Sequence, residues 1–288
     1  MITWKQPLKG YEWLIHQIWY LELEQDDIIE QLPQLIPNPR AHLLFTPEDQ
    51  GYCYQKGDEQ IAGHGSHLLA ASEQLLTLVD NAPLKRIGIT FRPEGLYLLN
   101  KATEGLINQC GWFDWLPPMF DSHFQNVLWQ CNTKQNIIDC VNHQIETLSL
   151  TNNIDKPFTV TQKTIALLEQ QQSGSDHSNA AQNQLTENNL DINHLAKQCA
   201  CSRRTLERSF RQVTGLSIKK YQLMMKLEQM ILALYNKQGD IDWTAFSQQF
   251  GFSDQSHLIR QLKQQLKRTP SHYLENRDLT IDIYGDFE

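Results

Sequence analysis

The sequence predicts an α+β protein of two domains, a β-rich N-terminal domain that ends in helices and an all-α C-terminal domain. Three observations carry that prediction. Up to about Thr103, short apolar runs alternate with turn residues. Beyond it the apolar residues recur at helical spacing. Within residues 190–275 one helical unit occurs twice.

The N-terminal runs are HLLF (42–45), HLLAA (67–71), LLTLV (75–79) and RIGITF (86–91), separated by Pro, Gly, Asn and Asp. Short strands at that spacing predict a sandwich or barrel. From Thr103 to Gln172 the spacing puts Phe124, Val127, Leu128 and Cys131 on one helix face. Ile137, Ile138, Val141, Ile145 and Leu148 fall on another. The stretch 169–189 is polar and rich in Gln, Asn and Ser, which reads as a linker. The expected boundaries are therefore a first domain over 1–172, a flexible linker over 173–189, a helical domain over 190–277 and an acidic tail over 278–288.

Charge separates the halves. The chain carries 25 Lys+Arg and 33 Asp+Glu, a formal net charge of −8. Residues 184–288 hold 14 basic and 12 acidic residues against 11 and 21 in residues 1–183, so +2 and −10 sum to −8. Four of the C-terminal acids, Asp278, Asp282, Asp286 and Glu288, lie in the tail. A basic module on an acidic body fits nucleic-acid binding confined to one part of the chain. No apolar run reaches membrane-spanning length and the start lacks a signal-peptide pattern, so a cytoplasmic protein is expected. The six cysteines show no disulfide framework and are expected to be buried thiols.

The repeat pairs 195–221 with 246–273. Ser202 aligns with Ser253 and, after one inserted residue, Leu206 with Leu258, Arg208 with Arg260, Phe210 with Leu262 and Tyr221 with Tyr273. Each copy reads as a helix, a turn and a second helix. Ser202 and Ser253 are the expected N-caps of the second helices. Leu206 with Phe210, and Leu258 with Leu262, form the i, i+4 stripe that holds each helix to its core. The stripes leave Arg203, Arg204, Thr205 and Arg208 facing outward from one helix, and Gln255, Ser256, His257 and Gln261 from the other. A continuous amphipathic helix over 218–235, about 27 Å long, connects the copies. That length suits two helices set in major grooves roughly 34 Å apart. The chain is thus read as two helix-turn-helix units joined by a long helix.

At this point the sequence resembles the DNA-binding domain of the AraC/XylS family of transcription regulators. The resemblance rests on Leu195-Ala196, the Ser202, Leu206, Arg208, Phe210 run, Gly215, Tyr221 and Ile241. It continues through Gly251-Phe252-Ser253-Asp254-x-Ser256, Arg260, Lys263, Pro270 and Tyr273. Departures are Lys226, Met230, Leu258, Leu262 and Lys267, which stand where the family usually has Arg, Ala, Phe, Phe and Gly. The segment IGITFRPEG (87–95) resembles the cupin-like sensory domains that precede such modules. The resemblance implies an effector-responsive regulator, an activator by family habit, that binds double-stranded promoter DNA as a homodimer through helices in 104–172. RNA polymerase is the implied further partner.

For the interface, Arg203, Arg204 and Arg208 suit guanine edges or phosphates, and Gln255 and Gln261 suit adenine. His257 suits a base or a phosphate, while Lys219, Lys220, Lys263 and Arg268 suit phosphates. Ser202, Thr205, Ser253, Ser256 and Arg260 complete the candidate set. Asp254 is expected to cap a helix more readily than to accept from cytosine. Arg92 is the candidate anchor for an anionic effector, against a purely structural role in its turn. His64 and His67 lack the H-x-H spacing of cupin metal sites, so no metal or cofactor is expected. The tryptophans are expected mostly in the core. No phosphate loop or hydrolase motif occurs, and catalysis is not expected. The rival readings are a cupin-type metal enzyme tethered to DNA and a protein-responsive DNA-binding adaptor. An alkyl-transfer repair protein is not expected, because no cysteine here sits in a Pro-Cys-His context.

Overall fold

The structure, a computed structural model, describes residues 2–27, 32–79, 81–173, 192–236, 241–267 and 269. It divides into two compact units, one within residues 1–155 and one within 156–277.

The first unit is built from two antiparallel sheets. Its strands are β1 (Ile2–Gln6), β2 (Ile15–Leu23), β3 (Gln34–Leu35), β4 (His42–Phe45) and β5 (Gly51–Lys56). They continue with β6 (Glu59–His64), β7 (His67–Leu69), β8 (Leu76–Leu78), β9 (Leu84–Phe91) and β10 (Cys110–Gly111). Among the described residues one sheet runs β1-β2-β9-β4-β7-β10 and the other β3-β8-β5-β6. The four apolar runs read from the sequence became β4, β7, β8 and β9. Trp19, Leu21, Leu44, Leu69 and Leu84 from the larger sheet meet Leu35, Tyr54, Leu76 and Leu78 from the smaller in one buried cluster. Alternation along the strands explains why both sheets have one apolar face turned to the other.

Trp19 sets the closest approach in that core. It lies over Gly88, where a Cβ would fall 2.0 Å from its ring, and its Nε1 donates to Thr90 Oγ1 at 3.2 Å. Only glycine admits the indole there. Of the six tryptophans in this unit Trp19 alone is fully buried. The other five (Trp4, Trp13, Trp112, Trp115 and Trp129) are half-buried, which corrects the expectation of a tryptophan-rich core. The thiols differ likewise: Cys199 is buried and the remaining five are half-exposed.

The helices of this unit are α1 (Leu96–Leu99), α2 (Ser122–Gln130) and α3 (Lys134–Thr147). Asp121 and Thr133 cap α2 and α3 by accepting from the Phe124 and Asn136 amides. The α3 stripe of Ile137, Ile138, Val141 and Ile145 is buried as expected, whereas Val127 on α2 is 40% exposed. Strand β10 interrupts the region expected to be wholly helical, pairing Cys110 and Gly111 with Leu69 and Leu68.

The second unit begins earlier than the sequence reading placed it. Helix α4 (Lys156–Ser173) belongs to this unit rather than to the first. Its Val160, Ile165 and Leu168 join Leu195, Ala196, Leu206, Phe210, Ile218 and Tyr221 in one core. Helices α5 (Ile192–Gln198), α6 (Arg203–Thr214), α7 (Ile218–Asn236), α8 (Trp243–Gln249) and α9 (Gln255–Leu266) complete it. The acidic tail, and the expected linker apart from Ser173, lie outside the described residues.

Candidate nucleic-acid interface

The duplication seen in the sequence is a duplication of backbone geometry. In the first copy Cys199 N–H donates to Leu195 O, Ala200 N–H to Lys197 O and Cys201 N–H to Ala196 O. In the second, Phe250 N–H donates to Phe246 O, Gly251 N–H to Gln248 O and Phe252 N–H to Ser247 O. Ala200 and Gly251 are the left-handed residues that end α5 and α8, with φ of 51° and 68°. Both turns thus close their helix with the same three bonds before the chain re-enters a helix.

The second helices match residue for residue. Each has 12 residues. Ser202 Oγ accepts from the Thr205 amide at 3.2 Å. In the second copy Asp254 accepts from the His257 amide at 2.8 Å. Ser253 is therefore not the N-cap of α9, a correction to the alignment of serine with serine. The inserted residue lies in the turn, ahead of the helix, and Asp254 takes the place of Ser202. The hydrogen bond from the His257 backbone N–H, the largest cause, holds the Asp254 carboxyl below the usual carboxylate range. A capping aspartate engaged in this way is the structural alternative to cytosine recognition. At the far ends Gly215 and Lys267 occupy the same left-handed position, with φ of 76° and 57°.

That frame decides which side chains face out. Leu206 and Phe210, like Leu258 and Leu262, are fully buried. On α6, Arg203, Arg204 and Arg208 are exposed and Thr205 is half-exposed. Arg203 reaches along the helix to Glu207, Nε to Oε1 3.0 Å, between exposed side chains. Arg204 and Arg208, one turn apart, share a face. Arg211, which the sequence reading passed over, is exposed and continues that row. Its spacing of i+3 from Arg208 was the available signal. On α9, Gln255, Ser256, Arg260 and Lys263 are exposed and His257 and Gln261 half-exposed. Lys219 is exposed and Lys220 half-exposed in the first turn of α7. Arg268 lies outside the described residues. Ser253 stays exposed in the turn, its hydroxyl 3.3 Å from His257 Nδ1.

The first unit holds the other candidates. Arg92 Nε lies 3.3 Å from Oε1 of the fully buried Glu94, so its charge serves the turn after β9. His64 points to solvent and His67 into the sandwich. His67 bonds Tyr54 Oη through Nε2 at 2.7 Å and Gly65 O through Nδ1 at 2.9 Å, with Tyr52 stacked on its ring. Burial, reinforced by the nearby Arg86 guanidinium, depresses His67 to about 3. Among the described residues no three potential metal ligands come together. Arg86 itself is fully buried, and sequence reasoning missed it because a KRIGITF run gives no hint of which face its arginine takes.

Two capped helices, each standing on its own small core with polar and basic groups outward, define a DNA-binding protein of the double helix-turn-helix class. Residues 195–276, less than a third of the chain, match the family model described as a helix-turn-helix domain. By that match this segment is a helix-turn-helix domain. No curated protein matches the sequence.

Among solved structures the chain is similar to ToxT from Vibrio cholerae O395, at 12% identity over 89% of this chain and 95% of that one, with a TM-score of 0.43. Wild-type ToxT from strain SCE256, solved with an unsaturated fatty acid bound, is 11% identical over 89% and 93%, with a TM-score of 0.42. A Chromobacterium violaceum transcriptional regulator of the AraC-type DNA-binding description is 22% identical over 41% and 90%, at a TM-score of 0.31. No helix among the described residues is long and apolar enough to cross a membrane.

Proposed function

We propose that this chain is a transcription regulator of the AraC type that binds promoter DNA in the cytoplasm as a homodimer, seating α6 and α9 in successive major grooves, and does so in response to a small effector. It has no catalytic role in this reading. The supporting observation is the matched pair of 12-residue helices, each N-capped and each presenting its polar face outward. Helix α7, at 19 residues and about 28 Å, has the length to connect helices in grooves one helical turn apart.

Within this reading Arg204 and Arg208 contact guanine edges or phosphates from α6, with Arg203 and Thr205 beside them. Gln255, Ser256, His257 and Gln261 read from α9. Lys219, Lys220, Arg260, Lys263 and Arg268 hold the backbone, with Ser202 and Ser253 at the helix starts. Dimer contacts come from the helices within 104–172, and the effector acts on the β sandwich.

The test is Arg204→Ala combined with Arg208→Ala in the full chain. Each arginine–base contact contributes roughly 1–3 kcal/mol, so affinity for a site selected from random oligonucleotides should fall at least about tenfold at fixed salt. Circular dichroism should stay unchanged, because both side chains are exposed. An unaltered gel-shift affinity would remove α6 from the interface.

A further inference from the structure

Cys131 and Cys140 stand apart from the other thiols. Cys131 follows the last residue of α2 as its C-cap, with extended backbone angles. Its Sγ lies 3.4 Å from Val127 O and 3.5 Å from Asn136 O. Asn136 is one turn before Cys140 on α3, so the Cys131 sulfur rests on the rim of that helix where the Cys140 side chain emerges. The Cys131 sulfur is close enough to Cys140 to act on its thiol, both are half-exposed, and both are free.

We propose that Cys131 and Cys140 are a redox modification site, in which a peroxide-class oxidant joins them as a disulfide between the end of α2 and α3. With the Cys131 sulfur 3.5 Å from the Asn136 carbonyl, one turn before Cys140, side-chain rotation at the non-helical Cys131 is the movement that would bring the sulfurs to bonding distance.

The chemistry balances with hydrogen peroxide. The Cys131 sulfur attacks a peroxide oxygen, the O–O bond breaks, and Cys131 becomes a sulfenic acid as one water leaves. The Cys140 sulfur then attacks the Cys131 sulfur, the S–O bond breaks, and the hydroxyl leaves as a second water with the Cys140 proton. Two thiols lose two electrons and two protons, and one peroxide becomes two waters. The order of attack follows from the pair itself. Burial first, then the neighbouring Cys131 charge and hydrogen bond, push the Cys140 thiol up to about 11. A thiol held protonated in this way is the poorer first nucleophile, which assigns Cys140 the resolving step.

Three of the remaining cysteines are otherwise engaged. Cys199 is buried against Thr164, and Cys110 is pushed up to about 12 by burial. Cys53 is engaged by Gln60.

The test uses the full-length protein titrated with hydrogen peroxide, alkylated and digested with trypsin. Lys134 separates the two cysteines, so the disulfide appears as two linked peptides that part on reduction, with fragment ions distinguishing Cys131 from Cys110 on the same peptide. The expected result is loss of two of the six thiols, both assigned to this pair. In Cys140→Ser the reaction should stop at a Cys131 sulfenic acid captured by dimedone. In Cys131→Ser, Cys140 should stay reduced and alkylatable. Full alkylation of Cys131 and Cys140 at doses that already oxidise methionine would overturn the proposal. So would linkage of either one to another cysteine or to a second chain.

Discussion

Replacing Ile165 with alanine removes three buried carbons from the core that α4 shares with the first helix-turn-helix unit. Ile165 is fully buried, and its cluster includes Leu195, Leu206, Phe210 and Tyr221. The lost transfer free energy is about 2.4 kcal/mol at roughly 0.8 kcal/mol per carbon. The cavity adds to this, within an observed range of about 2–5 kcal/mol for such truncations. A working value of about 3 kcal/mol corresponds to roughly a 150-fold rise in the population of the opened unit. Amide hydrogen exchange of the full chain reads this directly, because amides protected only by global opening of the unit accelerate by the same factor. Those of Leu206 to Val213 in α6 should exchange about 100-fold faster or more, while those of Ile87 to Phe91 in β9 stay unchanged. If β9 accelerates and α6 does not, α4 belongs to the sandwich and the division of the chain after Asp155 is wrong.

The other predictions concern the caps and the buried histidines. Asp254→Ala should lower the urea midpoint of the second unit, whereas Ser253→Ala should leave it nearly unchanged; equal effects would return the cap to Ser253. Lys267→Gly should stabilise the same unit by roughly 0.5–1 kcal/mol, because only the side chain opposes the left-handed backbone. A lower melting temperature would mean that the side chain contributes more than its backbone strain costs. Burial depresses both His42 and His67 from the ordinary value to about 3. They stay neutral in the fold while the unfolded chain takes up their protons below about pH 6.5. Stability is therefore unaffected by them above that pH and falls as pH drops toward 4, by up to about 2.7 kcal/mol per pH unit for the pair. Tryptophan fluorescence reports it, and His67→Gln should reduce the slope by about one proton; an unchanged slope refutes the assignment.

Most of the architecture was legible because its signals are local. The runs that became β4, β7, β8 and β9 are strongly apolar, since both of their sheets bury them. Strands β1, β2, β3, β5, β6 and β10 were not read; β6, for one, is an edge with mostly exposed side chains, and its alternation is diluted by glycine and polar residues. Helix α4 was read as helical from its spacing, but its partner was not. An apolar stripe states that a cover is needed and leaves open which core provides it. The N-cap of α9 was misplaced by one residue because serine and aspartate both cap well. Only equal helix lengths, counted back from Lys267 and Gly215, decide between them. Arg92 looked available in the sequence because nothing local shows that Glu94 turns fully inward beside it.

The third residue of each turn, Cys201 in one copy and Phe252 in the other, gives the two copies separate mechanical supports. Phe252 is buried, and the Lys226 ammonium of α7 sits 4.2 Å over its ring. In the shorter first turn Cys201 instead packs toward the core that α4 supplies. One reading head is thus buttressed by the helix that precedes its whole domain, and the other by the connecting rod. The copies are not interchangeable parts, and a chimaera carrying two identical turns would leave one head without its brace.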